Sequence, residues 1–104
     1  MTLDELQKLC YKSAKESGWD DPGIVEQVAL LHSEVSEALE SFRNHDPISW
    51  TAAGKPQGVA SEYADLLIRL LHYCEALCID LELEVLRKLE YNRTRGYRHG
   101  GKAI

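Results

Sequence analysis

Apolar residues recur at intervals of three and four along almost the whole chain, and no segment alternates regularly between apolar and polar residues. The first interval is the repeat of an amphipathic α-helix, whereas strict alternation is typical of a half-exposed strand. Glycines and prolines fall in a few clusters that divide the chain into four helical segments. The sequence therefore predicts an all-α fold in a single domain over residues 1–104.

Capping and turn residues predict where the four helices begin and end. The expected helices run from Leu3 to about Ser17, from Asp21 and Pro22 to about Arg43, from Gly58 to Ile79, and from Asp80 to about Gly96. Asp21 and Asp80 are expected to be N-caps, with Pro22 in the first helical position. Residues 44–57 contain two prolines and a glycine, so a connecting loop or an excursion is expected there, and fourteen residues are long for a passive link.

The apolar face of the second helix is expected to be buried. Its members share one side of the helix at helical spacing and are Ile24, Val28, Leu31, Val35, Ala38, Leu39 and Phe42.

The second half of the third helix is unusually apolar. Between Leu66 and Ile79 only Arg69, His72 and Glu75 are polar, and their spacing of three places them on one narrow strip. A helix that is covered on all its other sides needs more neighbours than one small chain offers. We therefore expect a homodimer or homotetramer that assembles through this helix.

The charge of the chain limits its partners. Twelve Lys and Arg stand against 17 Asp and Glu, a formal net charge of -5, which argues against binding to nucleic acid polymers. Because no basic amphipathic stretch, signal peptide or long apolar run is present, we expect no membrane contact and a cytoplasmic location. The last twelve residues contain four bases and no acid. Such a tail suits a polyanionic ligand bridged by a metal, although it is also ordinary at a solvated helix end.

Two acidic pairs are the most informative motif. Glu34 and Glu37 lie three residues apart on the second predicted helix, as do Glu62 and Asp65 on the third. Residues at this spacing share a side of the helix, so antiparallel packing could bring all four carboxylates together. Oxygen ligands without His or Cys favour Mg²⁺, with Mn²⁺ as a substitute, over zinc. The alternative is a solvated acidic face, because Glu is a strong helix former.

The ExxE motif at 34–37 followed by ExxD at 62–65 resembles the signature of the MazG-like all-α nucleoside triphosphate pyrophosphohydrolases. The supporting segments are GWDD at 18–21, LLHSEVSEALE at 30–40, GKPQGVASEYAD at 54–65 and KLEYNRTRGYRHGGK at 88–102. Together they are similar to the short single-domain branch of that family. The resemblance implies a four-helix MazG-like bundle that dimerises or tetramerises.

The resemblance also implies an activity. Members of the family use Mg²⁺ to cleave nucleoside or deoxynucleoside triphosphates between the α and β phosphates, releasing a monophosphate and pyrophosphate, often as house-cleaning of the nucleotide pool. Carried over by position, Glu34, Glu37, Glu62 and Asp65 would bind the metal. Either Glu34 or Glu37 would orient the attacking water as general base.

Candidate substrate contacts lie outside the acidic motifs. Lys88, Asn92 and Arg95 stand at i, i+4 and i+7, so one face of the fourth helix would present them to phosphates. The other candidates are Trp19 for stacking on the base, and Lys55 and Arg98 for the phosphates.

Two other interpretations accompany this one. Among enzymes, the chain could be a narrow pyrimidine deoxynucleotide pyrophosphatase that acts on dCTP or dUTP. From another class, it could be a noncatalytic helical dimerisation or regulatory module whose acids only keep it soluble. A response to Mg²⁺ distinguishes the enzymes from the module.

Overall fold

The computed structural model describes all 104 residues and confirms the mostly helical class. Its elements are α1 (Leu3–Glu16), α2 (Ile24–Arg43), β1 (Trp50–Ala52), β2 (Lys55–Gln57), α3 (Val59–Ala76), α4 (Leu81–Thr94) and α5 (Arg98–Gly101). The last of these is a single turn whose four residues all have positive φ. No helix combines the length and the apolar content that a membrane crossing requires.

Side chains cap two of the helices. The Thr2 hydroxyl accepts a hydrogen bond from the backbone N–H of Glu5 at the start of α1. At the start of α4, the Asp80 carboxylate accepts one from Leu83 over 3.1 Å. An oxygen in this position satisfies a donor that has no partner within the helix. The predicted cap at Asp80 is therefore confirmed.

The predicted start of α2 is wrong. The helix begins at Ile24 with Gly23 as N-cap, and no side chain bonds to its first turn. Asp21 is not available as a cap because Lys15 and His72 both contact its carboxylate. Aspartate is a common N-cap, but the Asp21 carboxylate makes tertiary contacts instead. Helix α3 also ends earlier than predicted, at Ala76.

Residues 44–57 are not a plain loop. Strands β1 and β2 pair antiparallel, with Trp50 opposite Gln57. Ala53 and Gly54 join them, and both have positive φ, as a tight two-residue hairpin turn requires. Strands of three residues are too short to show an alternating pattern, which explains why the sequence did not predict them.

Gly58 fixes the hairpin segment against the start of α3. Its φ is +97°, and a Cβ atom at this position would lie 2.5 Å from the carbonyl oxygens of Pro47 and of Ile48. The same Ile48 carbonyl accepts a hydrogen bond from Ala60 over 3.0 Å. Only glycine tolerates both the positive φ and this close approach.

Helix α3 lies at the centre, with α1 and α2 packed antiparallel against it. Successive residues of α1 meet α3 in reverse order, since Gln7 contacts Glu75 and Tyr11 contacts His72. The buried apolar residues form a small core, made of Cys10, Ala38, Leu71, Tyr73 and Cys74.

Each member of the polar strip of α3 contacts a different part of the chain. The pairs are Arg69 with Glu34 of α2, His72 with Asp21 between α1 and α2, and Glu75 with Gln7 of α1. The three polar residues therefore lie where α3 meets its neighbours, and each of them has a polar partner there.

The predicted buried face of α2 is wrong for the single chain. Only Ala38 is buried and Leu31 half-buried, while the other five residues of that face are exposed, Phe42 by 66%. Helix α4 buries no residue, and its recorded polar link to the body is the Leu3 N–H donating to Glu82. The four-helix bundle therefore stays a prediction, because α4 does not close it within one chain.

The exposed surface is large for this mass. The chain exposes 7,814 Å² at 11.8 kDa, whereas a compact monomer of that mass exposes about 5,900 Å². Its radius of gyration is 16.2 Å, compared with about 13 Å for a compact domain of this length. One chain thus leaves uncovered much of the apolar surface that its helices present.

Candidate functional site

Three carboxylates from the two acidic motifs meet between α2 and α3. One oxygen each from Glu34, Glu62 and Asp65 lies within 4.8 Å of the others. We call these three residues the acid cluster. The antiparallel packing of α2 and α3 brings these three together, whereas the spacing of the motifs predicted that all four carboxylates could meet.

The acid cluster contains carboxylate oxygens without partners. Glu34 is only 5% exposed. Its Oε2 atom and the Oε2 atom of Glu62 are buried and accept no hydrogen bond. An unpaired buried carboxylate oxygen is costly, and a cation removes that cost. A donor set of anionic oxygens fits Mg²⁺ or Mn²⁺.

The electrostatics of the acid cluster point the same way. Burial raises the pKa of Glu34, and the charge of Glu37 raises it further, while Arg69 opposes the rise. Burial also raises the pKa of Glu62, again with a contribution from Glu37. Both carboxylates are thus costly to ionise without an added positive charge.

Glu37 is adjacent to the acid cluster but does not belong to it. Its carboxylate is close enough to act on Glu34 and Glu62, although it does not join the group of oxygens within 4.8 Å. Its exposure agrees with a place at the edge of the cluster. The prediction that Glu37 is a metal ligand stays a prediction.

Arg69 is a site residue that the sequence analysis did not select. Its Nε atom lies 2.6 Å from Oε1 of Glu34, and one of its NH groups donates to the Tyr73 hydroxyl over 3.3 Å. The available signal was the one basic residue between Val59 and Ala76, which stands one helical turn after Asp65 on the polar strip. It supplies the one cation recorded in contact with the acid cluster.

A cavity of about 990 Å³ opens beside the acid cluster, between α1, α2 and α3. Glu34, Asp65 and Arg69 contribute charged groups to its wall. Its apolar lining residues include Cys10, Ala14, Leu30 and Ile68. This volume is at the upper end of the range for small-molecule sites. Carboxylates outnumber the one arginine in the wall, so a phosphorylated ligand would need a cation to bind there.

Trp19 lines the same cavity and is 67% exposed. Its backbone is held by hydrogen bonds, since its N–H donates to the Ala14 carbonyl over 3.0 Å. Its own carbonyl accepts from Lys15 over 3.4 Å. The structure therefore places this predicted base contact in one cavity with Glu34 and Asp65 of the acid cluster.

Asp21 gathers side chains from two helices next to Trp19. Lys15 Nζ lies 2.6 Å and His72 Nε2 2.9 Å from its Oδ1 atom. The Tyr11 hydroxyl donates to its other oxygen over 3.3 Å. The hydrogen bond from Lys15, followed by that from His72, lowers the pKa of Asp21.

The other predicted substrate contacts lie outside this cavity. Lys88 lies on α4, and Arg95 is the C-cap of that helix. The charged groups of both lie over the Tyr91 ring, 5.4 and 5.5 Å from its centroid. Asn92 and Arg98 line a separate cavity of about 450 Å³ that the tail forms by itself. Lys55 is exposed in β2. A single chain does not bring these residues to the acid cluster, and their role in substrate binding stays a prediction.

Comparisons with protein-family models, with curated proteins and with solved structures find no match for this chain. The resemblance to the MazG-like family therefore rests on the motifs of the sequence. The acid cluster, with its unpartnered oxygens and the adjoining cavity, is the part of the structure that indicates a function.

Proposed function

We propose that the protein is a Mg²⁺-dependent hydrolase that converts nucleoside or deoxynucleoside triphosphates to monophosphate and pyrophosphate. The observation that carries this proposal is the acid cluster with its two unpartnered buried oxygens, because two of its members, Glu34 and Asp65, also line a nucleotide-sized cavity. The motif resemblance supplies the reaction, and a role in nucleotide-pool house-cleaning follows from that resemblance.

The acid cluster would hold the metal. Bound Mg²⁺ neutralises charge on the phosphates and makes a bound water more acidic. Arg69 keeps Glu34 in place through its 2.6 Å contact. Glu37, at the edge of the cluster, is available to accept the proton of the attacking water, so it is the favoured general base of the two candidates.

Trp19 would bind the base by stacking. Its exposed ring lies on the same cavity as Glu34 and Asp65. Aromatic stacking accepts every base, which agrees with a broad substrate range. A narrow preference for dCTP or dUTP is the alternative within this reaction.

A second copy of the chain would cover the exposed apolar faces of α2 and α4. The exposed area exceeds that of a compact monomer by about 1,900 Å² per chain, which lies in the range of obligate homodimers when two copies are counted. The homodimer or homotetramer that the sequence predicts through α3 stays a prediction, because α1 and α2 already pack against that helix. A neighbouring copy also offers a route by which Lys88, Asn92 and Arg95 would approach an acid cluster.

The same apolar surface favours a second candidate, a noncatalytic helical association module. Such a module needs the exposed faces of α2 and α4 but has no use for the acid cluster. It would associate equally well with and without Mg²⁺.

The test is to incubate the purified protein with each NTP and dNTP in Mg²⁺, Mn²⁺ or chelator, and to resolve the products. We expect metal-dependent release of monophosphate and pyrophosphate, lost in Glu62→Gln and retained in Glu40→Gln, which neutralises an exposed acid on α2. Release of diphosphate and orthophosphate would overturn the proposed bond. Metal-independent association without turnover would favour the module.

A further inference from the structure

We propose that Asp21 and His72 are positioning residues that hold Trp19 at the cavity wall, so that its ring is ready to receive the base. The role of the ring in binding rests on the proposed function. The geometry of the contact does not, because it joins a buried imidazole of α3 to the segment that carries Trp19.

His72 is a fixed anchor. It is 6% exposed and lies in the most apolar part of α3, next to the buried residues Leu71 and Tyr73. Its Nε2 atom lies 2.9 Å from Oδ1 of Asp21, and this is the one hydrogen bond recorded for the ring. Burying a polar ring without a partner costs free energy, so the folded state favours the contact between His72 and Asp21.

Asp21 connects His72 to two side chains of α1. Besides His72, it binds Lys15 over 2.6 Å and accepts from the Tyr11 hydroxyl over 3.3 Å. Lys15 in turn donates to the carbonyl oxygen of Trp19. The backbone of Trp19 is thus tied to α3 through two side chains.

The Trp19 ring cannot hold itself by packing, because 67% of the residue is exposed. The position of the ring starts from the backbone, which is held by the Ala14 carbonyl and, through Lys15, by the Asp21 contacts. A pre-positioned ring avoids the entropy cost of ordering a mobile side chain when the ligand binds. Loosening the contact should therefore weaken base binding more than it affects the acid cluster, which lies on α2 and α3.

The experiment uses a Trp50→Phe background, in which Trp19 is the only tryptophan. His72→Leu and Asp21→Ala remove the contact, whereas His72→Gln and Asp21→Asn keep a polar group of similar size. Glu75→Gln is the matched control, because it alters the contact of the same strip with Gln7 and leaves the Trp19 segment alone. Time-resolved fluorescence anisotropy reports the motion of Trp19, and steady-state kinetics give KM and kcat.

We expect the two removing variants to increase the fast motion of Trp19 and to raise KM for nucleotides about tenfold, the size of one stacking contact. We expect kcat to change by less than about twofold, because the acid cluster is untouched. Inhibition by inorganic tripolyphosphate, which has no base, should stay the same. The polar replacements should restore most of both losses, and Glu75→Gln should resemble the parent.

The proposal is overturned if Trp19 moves no faster in folded Asp21→Ala than in the parent. It is also overturned if Glu75→Gln increases the motion as much as Asp21→Ala does. Asp21→Ala carries this test even where His72→Leu does not fold, because Asp21 is at the surface. A protein that hydrolyses no nucleotide contradicts the proposed function, whereas anisotropy still decides whether Asp21 and His72 position Trp19.

Discussion

The Nε atom of Arg69 lies 2.6 Å from Oε1 of Glu34, so the most buried carboxylate of the acid cluster has its counter-ion on the neighbouring helix. One arginine does not neutralise Glu34, Glu62 and Asp65 together. The excess negative charge is what a divalent cation would offset.

Replacing Arg69 by Met should lower the free energy of unfolding by about 2 kcal/mol, because Glu34 is left buried and unpaired. This is below the cost of breaking a fully buried pair, since the arginine is partly exposed. Arg87→Met is the control, because its 3.9 Å contact with Glu84 is exposed and should contribute less than about 0.5 kcal/mol. Urea denaturation measures both, and equal losses would contradict the burial argument.

Glu62→Gln should raise Tm in the absence of metal. Because the folded-state pKa of Glu62 lies above its unfolded value, its contribution to stability is present at acid pH and is lost as pH rises through the folded pKa. At neutral pH the neutral amide should gain about 4 °C, the shift that about 1 kcal/mol produces in a domain of this size. Wild type should gain Tm with Mg²⁺ and the variant should not. Glu40→Gln should keep the metal response.

Asp21→Asn should reduce the dependence of thermal stability on pH in the acid range. The lowered folded-state pKa of Asp21 means that its stabilisation is present above the unfolded pKa and lost as pH falls through the folded one. The variant should therefore have a lower Tm than wild type near neutral pH, with a gap that closes below about pH 4. Thermal melts across this range measure the gap. A constant gap, or the same profile in Asp20→Asn, would argue against the assigned contacts.

Gly58→Ala should destabilise the fold more than Gly54→Ala. Both glycines have positive φ, so each substitution strains the backbone by about 1 kcal/mol. Only at Gly58 would the added Cβ also collide with two carbonyl oxygens, 2.5 Å away. Thermal melts should show at least twice the loss of stability for Gly58→Ala. Equal losses would mean that the segment before α3 moves aside freely.

The sequence predicted features that depend on near neighbours. The cap at Asp80 and the shared side of Glu62 and Asp65 both follow from spacings of three residues. The start of α2 was wrong because Asp21 bonds to His72, 51 residues away. No local pattern reports a contact of that kind.

The same limit applies to the site. Periodicity could place Glu34 and Glu62 on facing sides of two helices, but it could not pair Glu34 with Arg69. The exposed face of α2 misled the prediction for a different reason. Apolar spacing reports that a face is covered and does not say whether the cover comes from the same chain.

The polar strip of α3 also determines how this helix is oriented about its axis. Arg69, His72 and Glu75 each contact a polar partner on a different element. Turning α3 by one residue about its axis would strand all three polar groups at once, whereas most apolar side chains would still find apolar neighbours. The native arrangement is therefore distinguished from rotated ones mainly by polarity. Exchanges among apolar residues of similar volume around the strip should consequently be tolerated better than any exchange within the strip.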